Sequence, residues 1–92
     1  MSMTKITPEE KVPFIYVDGD NVHVHEITIT EVRVFIWNDG GEPSVDGGFI
    51  NVPLIGDLPV KATRQLGRAL GYAADRADAN RAKGLKWLKE HT

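Results

Sequence analysis

The chain has 92 residues, of which 26% are charged, a formal net charge of −2 and no cysteine. That length makes one domain near the lower end at which a single core is stable unaided, and the lack of cysteine excludes disulfides and thiolate metal sites. No apolar run approaches the ~20 residues needed to cross a bilayer, and MSMTKITPEEK lacks the basic-then-apolar order of a secretory signal, so a cytoplasmic protein is predicted.

The charge is polarised. Residues 1–60 carry three basic side chains (Lys5, Lys11, Arg33) against ten acidic ones. Residues 61–92 reverse the balance, with eight basic side chains against Asp75, Asp78 and Glu90. One half is therefore acidic and the other basic.

In chain order, residues 1–11 are polar and predict a loose arm. VPFIYV (12–17) is β-branched and aromatic, and Asp18-Gly19-Asp20-Asn21 separates it from a second such run, which predicts a hairpin with its next strand starting at Val22. From Val22 to Trp37 there is neither Gly nor Pro. Fully extended, that run would reach about 53 Å, against a diameter of roughly 30 Å for a compact domain of this length. The alternation of apolar residues changes parity twice, near His25–Glu26 and near Thr30–Glu31. A slip of one residue turns every side chain to the other face, so each change predicts a bulge or turn. Strands at about 22–29 and 31–37 follow, with a single bent strand as the alternative.

NDGGEPSVDGG (38–48) predicts a mobile loop, and FINVPLI (49–55) a fourth strand broken by Pro53. Asp57 is the expected N-cap of a helical segment over 57–90, with Pro59 in its first turn. Ala62, Leu66, Ala69, Leu70, Ala73 and Ala77 fall on one stripe, continued by Gly84, Trp87 and Leu88. A single helix of that length would measure about 50 Å, which predicts a break with Gly84 as C-cap, with an unbroken helix that protrudes and pairs with a partner as the alternative. The sum is one α+β domain: a β-meander of about four antiparallel strands over 12–55, packed on a long C-terminal helix.

Few residues suggest chemistry. His23 and His25 share a strand face and could share a metal, but spacing gathers no third ligand from His91, Glu26, Asp18 or Asp20. The pair reads instead as the solvent side of a strand whose other face holds Val22 and Val24. Asp18-Gly19-Asp20-Asn21 lacks the remaining ligands of a calcium loop, and the glycine pairs Gly40-Gly41 and Gly47-Gly48 precede no helix and make no phosphate cradle. The only serines, Ser2 and Ser44, have no nucleophile motif around them. No catalytic, metal or cofactor site is predicted, and the expectation is a protein that is not an enzyme.

Surfaces are more informative. Phe35 and Trp37 lie on the opposite parity to Val32, Val34 and Ile36, so either the strand is central and covered on both faces, or Phe35 and Trp37 with Tyr16 form a contact patch for a partner. Gly67 and Gly71 interrupt a helix in which each costs up to ~1 kcal/mol relative to alanine, and close backbone approach, either against the sheet or against the same helix of a second chain, would account for them; a homodimer is expected, with Trp87, at the margin of the basic face, a further contact candidate. Lys61, Arg64, Arg68, Lys86 and Lys89 cluster opposite the apolar stripe and give the alternative reading, a nucleic-acid-associated protein.

The stretch LGRALGYAADRADA (66–79), carried by Leu66, Ala69, Leu70, Ala73, Ala74, Asp75 and Ala77, resembles the helix of small actinobacterial and actinobacteriophage proteins in which it follows a β-meander. Gly67 and Gly71 depart from that pattern. With no catalytic constellation, the expectation is a non-enzymatic protein-interaction module; the resemblance implies a binding role and, where such a protein is phage-encoded, action in the host cytoplasm by binding and modulating a bacterial protein.

Overall fold

A computed structural model describes residues 1–92 and contains six strands and one helix: β1 Ser2–Thr7, β2 Glu10–Asp18, β3 Asn21–Ile29, β4 Val32–Ile36, β5 Ser44–Gly47, β6 Ile50–Asn51 and α1 Val60–His91. The α+β class expected from the sequence is observed. The single meander is not: the strands form two antiparallel three-stranded sheets, ordered β1-β4-β5 and β2-β3-β6. The chain leaves one sheet for the other at 8–9, at 30–31 and at 48–49.

The hairpin forms where the turn residues place it. Asp18 pairs with Asn21 across a two-residue loop. Gly19 has φ +60, the left-handed conformation that tight hairpin turns place on glycine. From there the β2–β3 register runs without interruption back to Glu10 opposite Ile29. No bulge occurs at His25–Glu26, contrary to the parity argument. Val22 and Val24 simply belong to the outer face, and the inner face of β3 is His23, His25, Ile27 and Ile29. The break at Thr30–Glu31 is present, and it has a topological cause: there the chain crosses from β3 to the other sheet.

Residues 2–7, expected as part of a loose arm, are a strand paired with β4, with a bulge between Lys5 and Thr7. Part of the glycine-rich segment is also ordered: Ser44–Gly47 pairs with β4. Gly47 has φ +91, and a Cβ there would stand 1.8 Å from the Glu31 carbonyl oxygen, so only glycine lets the third crossing pass the second. Of the expected strand at 49–55, only Ile50–Asn51 is regular.

The helix is unbroken over its 32 residues, about 48 Å. Pro59, not Asp57, is its N-cap residue, with φ −57 and ψ 148, and no side chain caps the turn. Gly84 is not a C-cap. It lies mid-helix and buried, where an added Cβ would stand 2.8 Å from Val32 Cγ1 and 3.1 Å from Val45 Cγ1. The glycine lets β4 and β5 approach the helix backbone.

Length and compactness are reconciled by shape. The molecule is a rod of 58 × 18 × 16 Å, with the two sheets side by side along one stripe of the helix. The β2-β3-β6 sheet packs Val12, Ile27 and Ile29 on Ala73 and Ala77, and Phe14 and Tyr16 on Ala62. Only 14 of 92 residues are buried, so the core is one layer thick and most strand residues keep one face in water. A polar clamp joins strand to helix: Arg76 Nη2 donates to Glu10 Oε1 at 2.7 Å, and the buried Asn80 amide donates to Glu10 Oε2.

Candidate functional site

The hairpin register assigns every side chain of β2 and β3 to a face. Val12, Phe14 and Tyr16 point to the helix, and their partners Ile27, His25 and His23 point with them. The two histidines do share a face, but it is the helix-facing one. His23 stacks on Tyr16, ring centroids 4.6 Å apart at 10°, and His25 lies 5.9 Å from the same ring and 6.1 Å from Phe14. Each imidazole therefore extends an aromatic ladder at the edge of the core. His25 Nε2 is buried without a hydrogen-bond partner. No three His, Asp or Glu side chains converge where they could hold a metal ion. His91 is far along the chain from the pair and is engaged by its own helix, stacked on Trp87 at 4.1 Å with Nδ1 donating to the Trp87 carbonyl at 2.8 Å.

The outer face of the same hairpin carries a cluster of exposed apolar side chains. Ile15 is paired with Val24 and Val17 with Val22, and all four point away from the helix. They are 53%, 63%, 62% and 64% exposed respectively. Four β-branched side chains thus stand in a square on a solvent face, next to the acidic turn of Asp18 and Asp20. Ile15 and Val17 also border an open cleft of about 180 Å³ with Tyr16, Pro59, Lys61, Ala62 and Gln65.

The second sheet has its own outer face. Met3 pairs with Phe35, and Phe35 stacks on Trp37 at 6.3 Å. Arg33 lies over the Phe35 ring at 5.7 Å while bonding Asp46 at 2.7 Å, which leaves Phe35 half-buried and Trp37 exposed. Tyr16 does not join them. It is buried on the inner face of the other sheet, so the expected three-residue patch reduces to Phe35 and Trp37 with Met3.

On the helix, Lys61, Arg64 and Arg68 are exposed and make no ion pair; Lys86, 4.0 Å from Glu90, and Lys89 are exposed near the other end. About 27 Å of helix separates Arg68 from Lys86, with Asp75 and Asp78 between them. The five cations thus form two groups rather than one stripe. A Cβ added at Gly67 or Gly71 would meet nothing within 4 Å, so neither glycine serves packing on a sheet. Trp87 is half-buried beneath His91.

Glu10 is the one carboxylate with a displaced titration. The Arg76 hydrogen bond first, and the Asn80 hydrogen bond second, hold it below its ordinary value of 4.5. Its role is the strand–helix clamp. Ile15, Val17, Val22 and Val24 are absent from the residues that the sequence singles out, although a signal exists. A two-residue turn at Gly19-Asp20 fixes the pairs 17–22 and 15–24 by counting, and puts the aromatic and histidine residues together on the other face.

No protein-family model, curated protein or solved structure matches this chain.

Proposed function

We propose that this protein is a non-enzymatic interaction module that binds a partner protein through the outer face of the β2–β3 hairpin. The observation that carries this reading is the square of Ile15, Val17, Val22 and Val24. Burying four β-branched side chains that are half to two-thirds exposed is worth about 1–2 kcal/mol each. An apolar patch of that kind on a small domain with a thin core is characteristic of a binding surface. Asp18 and Asp20 at its rim favour a partner with basic residues beside an apolar groove. The resemblance of the 66–79 helix to actinobacteriophage proteins supports a bacterial host protein as that partner, bound and modulated in the host cytoplasm.

The test is affinity capture from an actinobacterial lysate with wild type, Val17→Lys and Arg64→Ala as baits. A protein retained by wild type and Arg64→Ala and lost with Val17→Lys supports the reading. Equal retention by all three refutes it.

The exposed and unpaired Lys61, Arg64 and Arg68 favour a second reading, association with nucleic acid phosphates. Fluorescence anisotropy with a short duplex in low salt tests it, and no binding there ends it.

A further inference from the structure

Strand β2 pairs with β3 on one side only, because the order β2-β3-β6 makes it an edge. Antiparallel partners alternate between pairs that exchange both backbone hydrogen bonds and pairs that exchange none. Pro13 has no N–H and sits opposite Glu26, so that pair is of the second kind. By alternation Ile15–Val24 and Val17–Val22 are too. The N–H and C=O groups of Ile15 and Val17 therefore point away from β3. The backbone bonds made outside helices and strands involve Thr30, Gly48, Phe49, Pro59 and Thr63 alone. Nor does any side chain bond the main chain of Ile15 or Val17. Lys11 and Pro13 guard the rest of this edge, and 15–17 is left open.

The open stretch borders the cleft of about 180 Å³, whose opposite bank is the first turns of α1. Lys61 and Gln65, one turn apart, line that bank, and Tyr16 and Ala62 line the cleft between them and the strand. Tyr16 is only 7% exposed, and its hydroxyl has no hydrogen-bond partner within the chain. The helical bank is purely cationic: there is no Asp or Glu from Leu58 to Ala74, while Lys61, Arg64 and Arg68 are exposed and make no ion pair. Cleft, free backbone groups and unpaired cations thus meet at one place.

We propose that this edge takes an extended segment of the partner protein, antiparallel to β2, with a glutamate between two β-branched residues. The two β-branched residues exchange about four backbone hydrogen bonds with Ile15 and Val17. Their side chains emerge on the face of Ile15 and Val17 and widen the apolar square by a third strand. The glutamate, opposite Tyr16, turns to the other face and enters the cleft. Its stem lies against Tyr16 and Ala62, and its carboxylate accepts from the Lys61 ammonium and the Gln65 amide. A lysine in that position would meet Lys61 and be repelled, so the cleft selects by charge. The proposal rests on the square being a partner-binding surface, since Ile15 and Val17 belong to both.

Titration of the nitrogen-15-labelled protein with the end-blocked peptide Thr-Val-Glu-Val-Thr, followed by amide NMR, tests it. The Ile15 and Val17 amides should shift as they gain acceptors, with half-saturation at roughly 0.1–1 mM, while the Phe14 and Tyr16 amides, already bonded to β3, move little. Thr-Val-Lys-Val-Thr should bind about tenfold more weakly or worse. Lys61→Glu, an exposed position that leaves the fold intact, should reverse the preference between the two peptides. Still Ile15 and Val17 amides at about 5 mM glutamate peptide, equal binding of both peptides, or an unchanged preference in Lys61→Glu would each overturn the proposal. Lysate capture separates this from the reading it rests on. A partner lost with Val17→Lys but kept in full by Lys61→Glu overturns the edge site alone, whereas equal retention by wild type and Val17→Lys overturns the square and the edge site together.

Discussion

Gly84 is the sharpest test of how the helix meets the second sheet. Inside an exposed helix, alanine in place of glycine stabilises by roughly 0.5–1 kcal/mol. At Gly84 the new methyl would stand 2.8 Å from Val32 Cγ1 and 3.1 Å from Val45 Cγ1, well inside ordinary contact. Val32 is fully buried, and both neighbours are β-branched residues with little rotamer freedom. Relief must then come from moving a strand, an overpacking cost of about 1–3 kcal/mol. The two effects leave Gly84→Ala destabilised by about 0.5–2 kcal/mol. At about 4–8 °C per kcal/mol for a domain of this size, the thermal midpoint should fall by several degrees. Gly67→Ala and Gly71→Ala, with open space around them, should rise by several degrees instead. Thermal and urea melts followed by far-UV circular dichroism measure all three. If Gly84→Ala rises as much as Gly67→Ala, β4 and β5 do not pack against the helix backbone there. A loss of stability in Gly67→Ala and Gly71→Ala would return those glycines to a helix–helix interface.

Other expectations concern the clamp, the core and the exposed aromatics. Glu10→Ala leaves the buried Asn80 amide without its acceptor and should cost about 1–3 kcal/mol in a urea melt. Because the Glu10 carboxyl titrates below its ordinary 4.5 when folded, its contribution is present above that value and fades as pH falls through the lower folded pKa. The acid limb of the stability profile should therefore be shallower in Glu10→Gln than in wild type. Ile27→Ala empties a fully buried site and should cost about 2–5 kcal/mol, measured the same way. Trp37→Ala should shift the melting midpoint little, since the ring is exposed, while removing much of the tryptophan emission.

The elements legible in the sequence are those set by local rules. Asp18–Asn21 announces its turn, Thr30–Glu31 its crossing, and the alanine stripe its buried helix face. What stays hidden is relational. SMTKIT is too polar to read as a strand, because β1 is an edge with only Thr7 buried. SVDG is too short and glycine-rich, and is ordered by pairing with β4. The histidines face opposite to expectation because hydrophobicity alone sends valine to the core. In a hairpin backed by Ala62, only the aromatic face fills the gap to the helix, and the smaller valines are left outside. Gly84 misleads because glycine ends helices far more often than it admits a strand to one. Asn80 carries no signal on the stripe, since its partner Glu10 lies 70 residues away. The outer square of Ile15, Val17, Val22 and Val24 is countable from the turn.

Because both sheets rest on the same stripe of one unbroken helix, the helix acts as a ruler. The hairpin square and the Met3–Phe35–Trp37 patch point the same way, at a spacing the rod holds fixed. A partner that touches only one patch would bind with that patch's affinity alone. A partner whose own two sites match the spacing would gain the second contact at high effective concentration, and one whose sites do not match would gain nothing. Selectivity could thus reside in a length rather than in any single side chain.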